Sequence, residues 1–344
     1  MRIGPRASVV VLNLNGCRYL DVCLGAVLAQ ELEGGFEVLL VDNGSVDSSV
    51  AHVRSNWPAV RVVEAGANLG FAGGNNLGVA EASGRHVVLL NNDTRVRAGW
   101  LRGLVEAAEA DPKIGAVTSK LVFMDRPGVI QNAGSLVLTD GSGGDRGSGE
   151  EDRGQYDGRE EVFAACGCAA LLSRAMLDDV GLLDPTFFVY YEDTDLSWRM
   201  RLRGWRIVYE PAALVEHVHS GTSVEWSPFF TFHVDRNRLF MILKNAPPGF
   251  VLRAFARFGW LSARFAARVV LRPRPRPAQP GAAGGGGGFS RARVHVGVVA
   301  SVLVHLPEML RKRWRIRRGR RVPDADIVAW FHPRELWDAR LRSR

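Results

Sequence analysis

Ser8-Val9-Val10-Val11-Leu12-Asn13-Leu14-Asn15-Gly16 is a short β-forming run that passes at once into a polar turn, and the chain repeats this pattern three more times. Phe36–Val41 runs into Asp42-Asn43-Gly44-Ser45. Val60–Val63 leads to Asn68-Leu69-Gly70-Phe71-Ala72-Gly73-Gly74-Asn75-Asn76, and His86–Leu90 ends on Asn91-Asn92-Asp93-Thr94. Helical patterns at Tyr19–Ala29, Asp47–Asn56, Asn75–Ala82 and Trp100–Ala110 separate the runs, and Ala116–Thr118 is a fifth. Continuous apolar strands alternating with helices specify an α/β fold whose mostly parallel sheet is covered on both faces. Ligands of such sheets bind beyond the carboxyl ends of the strands. Four polar turns at that edge therefore predict one site, although turns in any doubly wound domain favour Asn, Asp and Gly.

Beyond Asp125 the alternation dissolves, and the Gly-rich, charged stretch 139–161 is expected to be a mobile loop, either a lid or a plain insertion. Order resumes at Val162–Leu172, with a helix at Arg174–Val180. The apolar run Phe187–Tyr191 then meets Glu192-Asp193-Thr194-Asp195 at the start of a helix ending near Gly204. Strand-like Arg206–Tyr209 and the segment Glu216-His217-Val218-His219 follow. Residues 1–244 are thus expected to form the catalytic domain and 245–344 a helical tail.

Charge divides the chain in the same way. The tail carries 21 Lys and Arg against 5 Asp and Glu, so the net +8 of the whole conceals an acidic body. Arg253, Arg257, Arg264 and Arg268 fall within about 60° on a helical wheel, among aromatic and aliphatic neighbours. This pattern suits an anionic membrane surface. A helical cap on the core and nucleic-acid binding are the alternatives, and nucleic acid is not the expected partner. Residues 273–288 read as a linker. A second apolar segment, Val294–Leu306, is expected to end at Pro307, too short to span a bilayer. Four cysteines with no CxxC pair, and an N-terminus without a signal-peptide pattern, point to a cytoplasmic protein, peripheral on the inner face of the plasma membrane.

Three groups of residues could carry chemistry. Asp93, with Asn91 nearby, can hold a hard cation whose remaining ligands are phosphate oxygens. Asp42 can accept hydrogen bonds from a base or ribose, as acidic residues of nucleotide-binding folds do. Glu192, Asp193 and Asp195 crowd three acids into four residues, where a helix dipole offsets their repulsion and one can serve as general base. Each could also be no more than a helix cap. There is no GxGxxG after the first strand and no GxxxxGK[ST], so dinucleotide oxidoreductases and P-loop NTPases lose their usual support.

In this order, the motifs 9–15, 41–45, 68–76, 90–93 and 191–196 resemble the family 2 inverting glycosyltransferases, in particular the bacterial rhamnosyltransferase-like branch. The resemblance implies an A-type glycosyltransferase fold, a divalent metal (Mg²⁺ or Mn²⁺) and a nucleoside-diphosphate sugar donor. It implies Asp193 as catalytic base, with Glu192, Asp195 and Asn91 as acceptor or supporting residues. Asp93 and His217 would hold the metal, with His219 as a substitute for His217. Asn13, Asp42, Asn43, Asn68, Gly70, Asn76 and Arg236 would contact the nucleotide. The implied reaction transfers a sugar, rhamnose among the candidates, to a lipid-linked or cell-envelope glycan. A sugar-nucleotide nucleotidyltransferase and a non-catalytic sugar-nucleotide-binding scaffold remain the alternatives.

Overall fold

The computed structural model describes residues 4–218, 227–271 and 288–342. The chain divides into two compact units, residues 1–221 with 321–344, and residues 222–320.

In the first unit the alternation of the sequence becomes β1 (Ala7–Asn13), α1 (Cys17–Leu28), β2 (Phe36–Asp42), α2 (Ser49–Asn56), β3 (Arg61–Glu64), α3 (Gly70–Glu81), β4 (His86–Asn91), β5 (Thr94–Val96), α4 (Trp100–Glu109) and β6 (Ile114–Phe123). After these come β7 (Ile130–Asn132), β8 (Ser135–Val137), β9 (Gly143–Asp145), β10 (Glu160–Glu161), β11 (Ala169–Ser173), α5 (Arg174–Val180), α6 (Glu192–Leu202) and β12 (Arg206–His217). The main sheet runs β10-β12-β6-β11-β4-β1-β2-β3. Strands β3, β2, β1, β4, β6 and β12 all point one way, because β11 lies antiparallel between β4 and β6 and restores the direction. Their carboxyl ends therefore share one edge.

The apolar runs are continuous because the sheet is buried on both faces. Val9 and Val11 pack into one core with Leu20 and Leu24 of α1 and Trp100 and Leu104 of α4. Val10 points the opposite way, into a second core with Val79 of α3, Met176 of α5 and Met200 of α6. Gly78 lets α3 settle on the sheet, since a Cβ there would lie 2.2 Å from Val10 Cγ1.

Two expectations are corrected in this unit. The segment 139–161 is no loose loop. Asn132 Nδ2 donates to Asp145 (2.7 Å), Lys120 pairs with Asp152 (2.7 Å) and Asp157 (2.8 Å), and Tyr156 is buried. Its charges and glycines serve an ordered hairpin instead of solvation. The boundary at 245 also moves, because the last residues return to the first unit. There α10 (Asp324–Val328) and α11 (Arg334–Arg342) accompany a bridge between His332 and Leu138. Trp337 joins Leu136 and Leu138 in an apolar cluster, and Phe331 packs edge-on against Trp198, 5.2 Å between centroids.

The second unit holds the 31-residue helix α9 (Gly288–Arg318), preceded by α7 (Pro228–Asn245) and α8 (Pro248–Leu271). The expected linker lies outside the described residues except for Gly288, which begins α9. The expected stop at Pro307 does not occur. Pro307 is exposed and the helix continues through it. Ala292–Arg318 is consequently long and apolar enough, by length and composition, to cross a membrane.

Candidate active site

The carboxyl ends of β2, β1 and β4 are linked by polar side chains. Asn13, fully buried, donates from Nδ2 to Asp42 Oδ1 (3.4 Å) and Ser45 Oγ (3.1 Å), while its Oδ1 accepts from Asn92 Nδ2 (2.6 Å). Asp42 also accepts from the Ser45 amide at 3.1 Å. Asn43 accepts from Leu69 N (2.9 Å) and donates to Asn68 Oδ1 and Gly70 O (both 3.1 Å). Gly70 adopts φ +72°, and a Cβ there would press within 2.5 Å of Phe188. Asn76 uses both ends of its amide on Leu183, at 2.8 and 3.1 Å.

The side chains of Asn13, Asn43 and Asn76, expected at the nucleotide, have partners within the protein. Their amides are engaged in bracing the loops. Asp42 keeps carboxylate lone pairs at the edge, and Asn68 is exposed, its Oδ1 accepting from Asn43 Nδ2 and Gly70 N.

Asp93 stands just past β4 and is buried. His217, the last residue of β12, places Nε2 3.2 Å from Asp93 Oδ1 and Nδ1 2.9 Å from Gln131 Oε1 on β7. With Nδ1 donating to Gln131 Oε1, Nε2 faces the Asp93 carboxylate either as an imidazolium donor or, when neutral, as a second ligand beside it for a cation. Cis ligands of a small octahedral ion with bonds near 2.1 Å lie about 3 Å apart, so the pair fits Mg²⁺ or Mn²⁺. Among the described residues no group of three His, Cys, Asp or Glu forms a metal site, so further ligands must come from outside the protein or from neutral oxygens such as Asn91. His219 lies outside the described residues.

The acids open α6 after a tense approach. Phe188, Tyr190 and Tyr191 all have positive φ, between 65° and 70°, conformations that non-glycine residues adopt only where the surroundings impose them. Tyr191 Oη accepts from Gly143 N at 2.9 Å, which ties the ordered hairpin to the start of α6. Glu192 is buried with Oε2 unpartnered, and burial, followed by the adjacent Asp193 charge, holds its carboxyl well above the usual range. Asp193 is half-buried. Its Oδ2 accepts from Gly167 N (2.9 Å), and its Oδ1 accepts from Thr194 N (2.6 Å) and Thr194 Oγ1 (3.1 Å). Burial raises its pKa, and these hydrogen bonds oppose the rise. Asp195, expected as an acceptor or supporting residue, is placed as a support. Fully buried, it pairs with Arg199 Nε at 2.9 Å, and Arg199 in turn grips the carbonyls of Val180 and Leu182.

Asp93 and Asp193 belong to the same edge. Gly167 lies two residues before β11, which pairs with β4, and Asn91 N donates to Cys168 O at 2.9 Å. The buried Cys168 thiol is pushed up by desolvation first, then by the fields of Cys166 and Asp93, and also by those of Cys23 and Asp193. One side chain thus feels both carboxylates.

Arg236 is different. It sits on α7 of the second unit, its Nε donating to Asn237 (2.9 Å) and its Nη2 3.1 Å from His233 Nδ1, and burial lowers its pKa to about 10. The first unit holds every other described residue named for the site. Reading the sequence missed Gln131, Asn92, Ser45 and Gly167. Ser45 and Asn92 lay inside quoted turns and could have been singled out, whereas Gln131 follows no periodicity.

The family model for "Glycosyl transferase family 2" matches residues 8–181. Over 232 residues the chain is 29% identical to an uncharacterized protein, y4gI, of Sinorhizobium fredii, covering 63% of this chain and 25% of that one. It is 28% identical over 231 residues to the O-antigen biosynthesis protein RfbC of Myxococcus xanthus, covering 64% and 18%. An N-acetylglucosaminyl-diphospho-decaprenol L-rhamnosyltransferase of Mycobacterium tuberculosis is 29% identical over 216 residues, covering 56% and 69%. The chain thus spans a quarter or less of the first two relatives. In fold it is similar to GalNAc-T7, solved with UDP, GalNAc and Mn²⁺, at a TM-score of 0.59 and 14% identity over 86% of this chain and 54% of that one. The strand order, the polar carboxyl edge and the matched half of the sequence agree: the chain has the A-type glycosyltransferase fold and belongs to glycosyl transferase family 2.

Proposed function

We propose that the protein is an inverting glycosyltransferase that moves a sugar, with rhamnose the first candidate, from a nucleoside-diphosphate donor to a hydroxyl of a lipid-linked or cell-envelope glycan. The supporting observation is a half-buried Asp193, oriented by Gly167 N and Thr194, on the strand edge that also carries the Asp93–His217 pair. Rhamnose and a lipid-linked acceptor are favoured by the name of the mycobacterial relative. That acceptor class would bring the enzyme to the cytoplasmic face of the membrane.

Asp93 and His217 would hold a divalent cation, which when bound supplies Lewis-acid neutralisation of the departing diphosphate. Asp42 and Asn68 would bind the base or ribose, within loops held in shape by Asn13 and Asn43. Asp193 would take the proton from the acceptor hydroxyl as that oxygen bonds to the anomeric carbon and the carbon–diphosphate bond breaks. One displacement inverts the anomeric centre. The ionised form is the one that accepts the proton, and the N–H groups of Gly167 and Thr194 stabilise that form.

The test is a panel of nucleotide sugars with Mn²⁺ or Mg²⁺ and prenyl-linked acceptors, with products identified. Release of a nucleoside diphosphate together with an inverted glycoside supports the reading. Pyrophosphate released from a nucleoside triphosphate would establish a nucleotidyltransferase, and donor binding without turnover a scaffold.

A further inference from the structure

Helix α9 carries two separate apolar stripes. Val298, Val302 and Met309 are buried within the second unit, where α9 packs against α7 and α8. A second stripe, centred about 120° around the helix from these residues, exposes Val296 (70%), Leu303 (63%), Leu310 (46%) and Trp314 (59%) to solvent. At 100° per residue these four fall within about 40° of arc, on a line about 27 Å long, with exposed Val304 about 80° to one side. Exposed Arg311, Arg315 and Arg318 adjoin the line at its carboxyl end. Helix α8 repeats the theme, with Leu252 and Trp260 exposed and Arg264 stacked over the Trp260 ring at 4.5 Å.

A long exposed apolar stripe marks an interaction surface, and its arginine flank selects an anionic one. A bilayer offers both parts, acyl chains at the headgroup boundary for the aliphatic side chains and negative headgroups for the arginines. Tryptophan at the end of the stripe suits the same boundary. Length alone would let Ala292–Arg318 cross the membrane. Its packing argues otherwise. Arg313 of α9 donates to the carbonyls of Leu243 and Ala246 at the end of α7 (2.7 and 2.8 Å), and α7 carries buried Arg236 and Lys244. A crossing α9 would draw those charges into hydrocarbon.

We infer that α9 lies in the plane of an anionic membrane, with the side bearing Val296, Leu303, Leu310 and Trp314 seated in the headgroup boundary. This deepens the membrane element of the proposed function. It is tested apart from sugar transfer, because vesicle binding and donor turnover are separate readouts.

The experiment is flotation of the full chain with phosphatidylcholine vesicles, with and without phosphatidylglycerol. The paired variants are Leu303→Asp with Val304→Asp, and Arg311→Gln with Arg315→Gln. Binding is expected only to the anionic vesicles and should fall with salt. The first pair should abolish it, and the second should weaken it about tenfold or more. Donor turnover and the far-ultraviolet spectrum should match the parent's; if the aspartates misfold the protein, Leu303→Ser with Val304→Thr gives the same readout. Nitroxide-labelled lipids should quench Trp314, read as the difference from Trp314→Phe, more strongly from shallow than from deep positions. Equal binding to neutral vesicles, or undiminished binding by folded variants, overturns the inference. So does deep quenching with resistance to alkaline extraction, which would mean a crossing helix. Dimerisation through the stripe without vesicles would assign it to a second copy.

Discussion

Two stretches of the same sheet edge treat their polar side chains in opposite ways. Around β1, β2 and α3, the amides of Asn13, Asn43 and Asn76 find partners within the protein. Around Asp93 and α6, Glu192 Oε2 is buried with none, and Asp93 Oδ1 faces only His217 Nε2, at 3.2 Å. Buried polar groups are nearly always satisfied, and leaving one unpaired costs about 1–3 kcal/mol. The first stretch is therefore mostly braced, Asn75 Oδ1 of α3 excepted, and the second holds a buried carboxyl oxygen with no partner among the described residues. Polar residues at a binding edge are of two kinds, and only hydrogen-bond accounting separates them.

The sharpest way to break this contrast is Asp193→Asn, which should lower kcat by about 10²–10⁴-fold while donor affinity stays within a few-fold. A parallel loss of donor affinity, measured by titration, would make Asp193 part of the frame. Gln131→Ala removes only the support behind His217. It should raise the Mn²⁺ concentration needed for half-maximal activity by about 10–100-fold with little change in Tm.

Asn76→Ala tests the other stretch. It should cost about 1–3 kcal/mol of stability by denaturant titration, with kcat unchanged at temperatures where the protein is folded. The smallest effect expected is Glu192→Gln. The folded-state pKa of Glu192 is raised above the ordinary 4.5, so its contribution to stability is fully present below that value and is lost as pH rises toward the folded pKa. The amide should therefore raise Tm at about pH 8 and do nothing at about pH 4, and an equal gain at both values would mean the carboxyl is not held neutral. For Asp193, raised above 3.8, the acid limb of the pH–rate profile should sit above the ordinary aspartate range, because the base works only when ionised.

Much of the first unit was legible beforehand. The five apolar runs correspond to β1, β2, β3, β4 and β6, and the helix read at Arg174–Val180 is α5, because burial on both faces leaves an unbroken apolar run that needs no partner to be recognised. The stretch 139–161 was not legible. Glycine and charge suit either a loose loop or a pinned hairpin, and the difference lies in Lys120, Asn132 and the returning Trp337. The stop at Pro307 failed for a related reason. A proline removes one helical hydrogen bond, and a helix held along its other side by α7 can go on past it.

The sequence by itself determined where strands stop and polar turns begin, and that three acids open a helix, because such patterns are written in neighbouring residues. Only the tertiary structure decided which of those polar groups are already partnered. Gln131 reaches His217 across 86 residues and Asn76 reaches Leu183 across 107, and hydrogen bonds between residues so far apart leave no mark on local periodicity.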